Sequence, residues 1–179
     1  MKSISKMNQA ELAAFVVQHL SDSGLYFVLS GGAAVGIYSN GEYVSGDIDL
    51  VNARFASRDT IENSMNKIGF IFVGRHFEHP ETDHIVEFPP GPLQFGDGMV
   101  QSTNEMEFDT GTLRIISPTD CIKDRLAHYY HWGDRQCRKQ AILVASKHEI
   151  NLDEIQEWSK LEGKSDEFDN IKHDLTRNT

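Results

Sequence analysis

The sequence predicts an α+β fold, with a mixed β-sheet in the first two thirds of the chain and helices in the last third. Three observations carry this. Short apolar runs bounded by glycine, asparagine or proline recur up to Ile116. One of them, residues 26–29, runs at once into Gly31-Gly32 and a small apolar segment. Capped stretches with helical spacing fill the remainder.

The elements follow in order. A first helix is expected over about residues 8–19, with Leu12, Phe15, Val16 and Leu20 on its apolar stripe, and Gly24 ends that unit. Residues 26–29, Tyr-Phe-Val-Leu, read as a buried strand. Residues 32–37 are apolar and small, suiting a short helix that abuts the Gly-Gly turn. Asn40-Gly41 signals a turn, after which residues 43–51 make the next strand. Ser57 or Asp59 caps a helix through Ile61, Met65 and Ile68, stopped by Gly69. Residues 70–73 and 84–88 read as two further strands, separated by a segment containing the polar turn His79-Pro80-Glu81-Thr82-Asp83.

Pro89-Pro90-Gly91-Pro92 halts sheet pairing, since proline has no amide to donate. A turn-rich stretch follows, and residues 112–116 are expected as an edge strand. Ser117-Pro118-Thr119-Asp120 is a helix start: a capping serine, proline at the first position and an acid in the first turn. That helix should reach about Trp132, with others near residues 134–147 and 152–161. The tail, residues 163–179, is polar and reads either as a loosely docked helix or as frayed chain.

With 179 residues the chain is long enough for a sizeable core. The expected organisation is an α/β core over residues 1–116 with the C-terminal helices of residues 117–179 packed on it. Hydrophobic and aromatic fractions of 39% and 9% are globular values and exclude a disordered chain. A net charge of −10 argues against a broad nucleic-acid-coating surface but leaves room for a local basic pocket. Cys121 and Cys137 lie in helical regions without metal-ligand spacing, as free thiols in a reducing compartment do. No apolar run has membrane-spanning length and no signal-peptide core follows Met1, so a soluble, cytoplasmic protein with no membrane partner is expected.

The chemistry concentrates in Leu29-Ser30-Gly31-Gly32 and, after fourteen intervening residues, Asp47-Ile48-Asp49-Leu50. Glycine lacks a Cβ and tolerates positive φ, so the Gly-Gly turn allows backbone to approach a ligand closely. In a strand, Asp47 and Asp49 point to one face. Carboxylates at that spacing repel unless a cation sits between them, and a hard divalent ion is the natural occupant. Glu87 interrupts the apolar run of residues 84–88. Buried, it needs a cation, a donor or the surface. Pairing of its strand beside residues 43–51 would complete a three-carboxylate cluster.

His128 and His131, and the group His76, His79 and His84, lack a cysteine partner or a zinc-type pattern. The run from His128 to Trp132 reads as a helix packing aromatic bodies with polar tips exposed. The C-terminal helices hold a local basic excess in Arg114, Lys123, Arg125, Arg135, Arg138 and Lys139, against Asp120, Asp124 and Asp134.

These motifs resemble the nucleotidyltransferase superfamily related to DNA polymerase β: a hydrophobic residue before Ser30-Gly31-Gly32, then Asp47-Ile48-Asp49 between hydrophobics, then a third acid, Glu87, on a later strand. The resemblance covers residues 25–90 by motif and, more weakly, the helices of residues 117–145, which look like those of small bacterial members such as AbiEii-like abortive-infection toxins. It implies a short mixed sheet flanked by helices. It also implies transfer of a nucleoside monophosphate from a nucleoside triphosphate such as ATP to a hydroxyl on a small molecule, a protein or an RNA 3′ end. Asp47, Asp49 and Glu87 would be the catalytic acids and would hold Mg²⁺ or Mn²⁺. Ser30, Gly31, Gly32 and Lys123 would bind the nucleotide, with Arg125 and Arg135 ranked after Lys123. The alternatives are a catalytically silent nucleotide- or partner-binding member, or the toxin of a toxin–antitoxin pair. An antitoxin or a second copy of the chain would then be the protein partner.

Overall fold

A computed structural model of the chain describes residues 2–54, 56–96, 98–100 and 103–176. Helix α1 (Gln9–Asp22) opens with a capping box, in which Asn8 and Glu11 each bond the other's backbone amide. Strand β1 (Phe27–Ser30) is buried throughout and turns directly into helix α2 (Gly31–Tyr38). Strand β2 (Asp47–Asn52) begins at the first aspartate; residues 43–46, expected as strand, form its lead-in loop. The Gln9 side-chain amide ties that loop to α1, donating to the carbonyls of Ser45 and Asp47.

Helix α3 (Arg58–Asn66) is capped by Ser57, the first of the two expected caps. Strands β3 (Ile71–Val73), β4 (His76–His79) and β5 (Thr82–Glu87) follow. Strand β4 occupies the segment read only as a spacer, with Phe77 as its buried anchor. A small hairpin, β6 (Gln94–Phe95) and β7 (Gly98–Met99), and strand β8 (Thr103–Phe108) fill the stretch read as turns. Strand β9 (Gly111–Ile116) pairs with β1 on one side and β8 on the other, so it is interior rather than the expected edge. Leu113, Ile115 and Ile116, all fully buried, suit that position, and polar β8 takes the edge instead.

The seven-stranded sheet has the order β3-β4-β5-β2-β1-β9-β8. It is mixed: β1 runs antiparallel to β2 and parallel to β9, and β2 runs parallel to β5. Helix α4 (Pro118–Trp132) starts as the capping sequence requires, with Ser117 Oγ accepting the Asp120 amide at 3.0 Å. Helices α5 (Arg135–Ala145) and α6 (Leu152–Leu161) complete the expected trio. The tail forms helix α7 (Ser165–Leu175), docked through buried Phe168, Ile171 and Leu175 at helical spacing. This is the expected α+β fold, a mixed sheet flanked by helices. No helix among the described residues is long and apolar enough to cross a membrane.

Candidate active site

Strand alternation separates β2 into two faces. Ile48 and Leu50 are fully buried on one, leaving Asp47 and Asp49 half-buried on the other. The parallel neighbour β5 sets Glu87 directly beside Asp49, and the antiparallel neighbour β1 sets Ser30 on its other side. One carboxylate oxygen from each of Asp47, Asp49 and Glu87 lies within 4.8 Å of the other two. Among the described residues this is the group arranged to hold a metal ion, and its three hard oxygen donors suit Mg²⁺ or Mn²⁺. The row extends outward, because β4 places His76 opposite Glu87 and β3 places Val73 opposite His76. That outer part of the face is bare: Val73 and Ile71 are exposed.

Asp47 and Glu87 each meet a partner from outside the cluster. Ser45 Oγ donates to Asp47 Oδ1 at 2.7 Å. Arg75, itself 87% exposed, reaches Glu87 only at 3.6 Å. Asp49 carries the strongest perturbation. Burial, then the negative charges of Asp47, Glu87 and Asp124, push its pKa up to about 7 against the opposing pull of Arg125.

Gly31 holds φ +67°, and a Cβ built there would run into Asp49 Oδ2. Only glycine lets the start of α2 lie this close to the aspartate. A Cβ at Gly32 would come within 2.6 Å of Ser45 Oγ. Ser30 caps α2 without a side-chain hydrogen bond of its own.

Above the glycines, α4 contributes residues that the motif alone does not reveal. Asp124 Oδ2 accepts the Gly31 amide at 3.2 Å and the Arg125 guanidinium at 2.7 and 3.2 Å. Both side chains are about nine-tenths buried. Burial alone would lower the Arg125 pKa, but the adjacent Asp124 carboxylate overrides it and keeps the guanidinium firmly charged. Arg125 is steadied further by Gln140 Oε1 at 3.4 Å. Burial and the same arginine hold the His128 imidazole below its ordinary pKa.

Ser30, Gly31, Asp49, Asp124, Arg125 and His128 open onto one cleft of about 270 Å³, whose far wall is Pro89, Pro90, Pro92, Leu93 and Phe95. Trp158 Nε1 donates to the Phe95 carbonyl at 2.9 Å and pins that wall to α6.

The structure therefore brings Asp47, Asp49, Glu87, Ser30, Gly31 and Gly32 together but does not bring Lys123 to them. The Lys123 ammonium is ion-paired with Asp120 and Glu154, tying α4 to α6, and does not line the cleft. Arg135 is exposed at the start of α5. Among the described residues, the cation lining the cleft is Arg125. Helical spacing hides it next to Asp124 and beside His128 one turn on, a signal readable only once α4 is known to cross the glycine turn.

No protein-family model matches the sequence, and no curated protein does. Solved structures do. An antigenic nucleotidyltransferase-like protein from Paracoccidioides brasiliensis superposes with a TM-score of 0.64 at 19% identity, covering 94% of each chain. The antibiotic-resistance factor ANT(2″)-Ia superposes with a TM-score of 0.58 at 14% identity, over 89% of this chain and 92% of that one. Its complex with adenylyl-2″-tobramycin gives 0.55 at 14% identity, over 92% of this chain and 98% of that one. At these identities the likeness is one of fold.

Proposed function

We propose that this chain is a divalent-metal-dependent nucleotidyltransferase, moving a nucleoside monophosphate from a nucleoside triphosphate to a hydroxyl acceptor. The observation that carries the reading is the convergence of the Asp47, Asp49 and Glu87 carboxylates beside the Gly31 turn. The fold shared with nucleotidyltransferase-like structures supports it. In this reading residues 1–116 form the catalytic core and residues 117–179 close the cleft over it.

Asp47, Asp49 and Glu87 would hold Mg²⁺ or Mn²⁺, which supplies charge neutralisation at the phosphates and activation of the acceptor oxygen. The chain's own groups do the rest. Ser30 and the Gly32 amide, at the start of α2 where backbone N–H groups lack helical partners, receive the phosphates. Arg125 faces the charge that accumulates on the departing pyrophosphate, and Asp124 holds it in position. The acceptor oxygen bonds to the α-phosphorus as the bond to the pyrophosphate oxygen breaks. Glu87, on the bare side of the sheet, takes the hydroxyl proton.

The test incubates purified protein with labelled nucleoside triphosphates, Mg²⁺ or Mn²⁺, and acceptors of three kinds: small molecules, hydroxyl-bearing proteins and RNA 3′ ends. Tobramycin belongs in the first set because ANT(2″)-Ia is seen with its adenylylated form. Label transfer that is lost in Asp47→Asn combined with Asp49→Asn supports the reading. Transfer unchanged in that variant, or none with any acceptor, rejects it.

A further inference from the structure

We infer that Trp132, at the far end of α4, is the stacking platform for the nucleobase of the triphosphate. The inference rests on the nucleotidyl-transfer reading and extends it to a contact that no motif assigns.

Four residues of α4 form one stripe. At 3.6 residues per turn, Asp124, Arg125, His128 and Trp132 fall within about 100° of arc, and the first three line the cleft. Asp124 and Arg125 stand at its floor beside Gly31, and His128 stands in its wall. Trp132 stacks at a tilt on His128, ring centroids 5.0 Å apart. It nevertheless remains 72% exposed. Tryptophan is the largest apolar side chain, and this one leaves most of its ring in water one turn beyond the cleft residue His128. The chain's other tryptophan, Trp158, is 5% exposed and hydrogen-bonded.

The spacing matches one ligand class. Seven residues of helix separate Arg125 from Trp132, a rise of about 10 Å. That is comparable with the distance from the terminal phosphates of an extended nucleoside triphosphate to its base. A helical side chain leans toward the preceding turn, and the indole accordingly lies against the ring of the cleft residue His128. The stripe thus offers a cation for phosphate at one end and an uncovered aromatic face for a base at the other. The His128 ring, in the cleft wall between them, falls at the level of the ribose.

The experiment uses intrinsic fluorescence and calorimetry on the wild-type chain, Trp132→Ala and Trp132→Phe. ATP, GTP, CTP and UTP, each with Mg²⁺, are the base-bearing probes, and inorganic tripolyphosphate with Mg²⁺ is the base-free one. Because Trp132 is exposed, neither substitution should disturb folding, and thermal melts check this. The expected result is emission quenching by at least one nucleotide but not by tripolyphosphate. Trp132→Ala should then weaken that nucleotide about tenfold, within the range for loss of one stacked base, leaving tripolyphosphate affinity unchanged and Trp132→Phe largely restored.

Equal loss for nucleotide and tripolyphosphate, or no loss for either, overturns the inference while leaving nucleotidyl transfer standing. So does unchanged nucleotide affinity together with a change in oligomeric mass, which would make Trp132 a contact between copies. If the wild-type chain binds neither probe, both the inference and the reading beneath it fall.

Discussion

The Asp124 carboxylate accepts a hydrogen bond from the backbone amide of Gly31, 93 residues earlier in the chain, and an ion pair from its own neighbour Arg125. One buried side chain therefore joins α4 to the turn that lies against the Asp47, Asp49 and Glu87 cluster. Removing it as Asp124→Ala leaves the Arg125 guanidinium buried without its counter-charge. Breaking a buried pair in this way costs about 3–5 kcal/mol. Urea denaturation should show that loss. Arg125→Met, which removes the cation and keeps the volume, should cost less, because Asp124 retains the Gly31 amide. Equal losses for the two would mean that the carboxylate does not carry the link.

Gly31→Ala should be worse than an ordinary glycine substitution, and the chain holds its own control. Gly24 has φ +77° with no heavy atom near a built Cβ, so Gly24→Ala pays only the left-handed backbone penalty, about 1–2 kcal/mol. Gly31→Ala adds a collision with Asp49 Oδ2 to the same penalty. Its melting temperature should fall further than that of Gly24→Ala, and nucleotidyl transfer should fall with it. Matching melts would show that the aspartate yields without cost.

The crowding around Asp49 sets a pH dependence. Its pKa is raised from the ordinary 3.8 to about 7 by burial and then by the carboxylates of Asp47, Glu87 and Asp124. Below about pH 4 both folded and unfolded chains keep the proton, and Asp49 contributes nothing. Between pH 4 and pH 7 the unfolded chain releases a proton that the folded chain retains, so metal-free stability falls as pH rises through this window. Asp49→Asn should flatten that part of the curve. A divalent ion needs the ionised form, so the thermal shift produced by Mn²⁺ should be small at pH 5 and grow toward pH 8. A shift that is the same at both pH values would dissociate Asp49 from metal binding.

How much of this was legible in the sequence follows the range of the forces involved. Local signals are legible: the Ser57 and Ser117 caps, the Gly31 turn and the Asp47-Ile48-Asp49 alternation appear where the sequence places them. Strands whose apolar residues are few did not declare themselves. In β4 only Phe77 is buried, and in β8 Asn104, Glu105 and Glu107 are exposed, so neither shows an apolar run, and without β8 the edge position falls to β9. Polar α7 left open whether the tail docks until Phe168, Ile171 and Leu175 were seen on one face. The convergence of Glu87 with Asp49 depends on β5 pairing with β2, a non-local register that sequence could suggest but not fix. Asp124 meets Gly31 across 93 residues of sequence, and nothing local to either residue announces it.

The two cations of α4 separate a charge that ties helices together from one that faces the cleft. Lys123 and Arg125 are two residues apart, both buried, and they point to different partners: Lys123 to Asp120 and Glu154, Arg125 to Asp124 at the cleft. Lys123→Ala removes the tie between α4 and α6 and leaves the Asp120 carboxylate buried with one partner fewer, costing about 1–3 kcal/mol of stability. The KM for nucleoside triphosphate should stay within about twofold of wild type, since no atom of the cleft has changed. Arg125→Lys keeps a positive charge but gives up the planar fork that grips Asp124, so its kcat should fall even where the fold survives. If Lys123→Ala raised the nucleotide KM more than Arg125→Lys changed either constant, the phosphates would lie on the α6 side of the helix, and the cleft beside Gly31 would lose its claim to them.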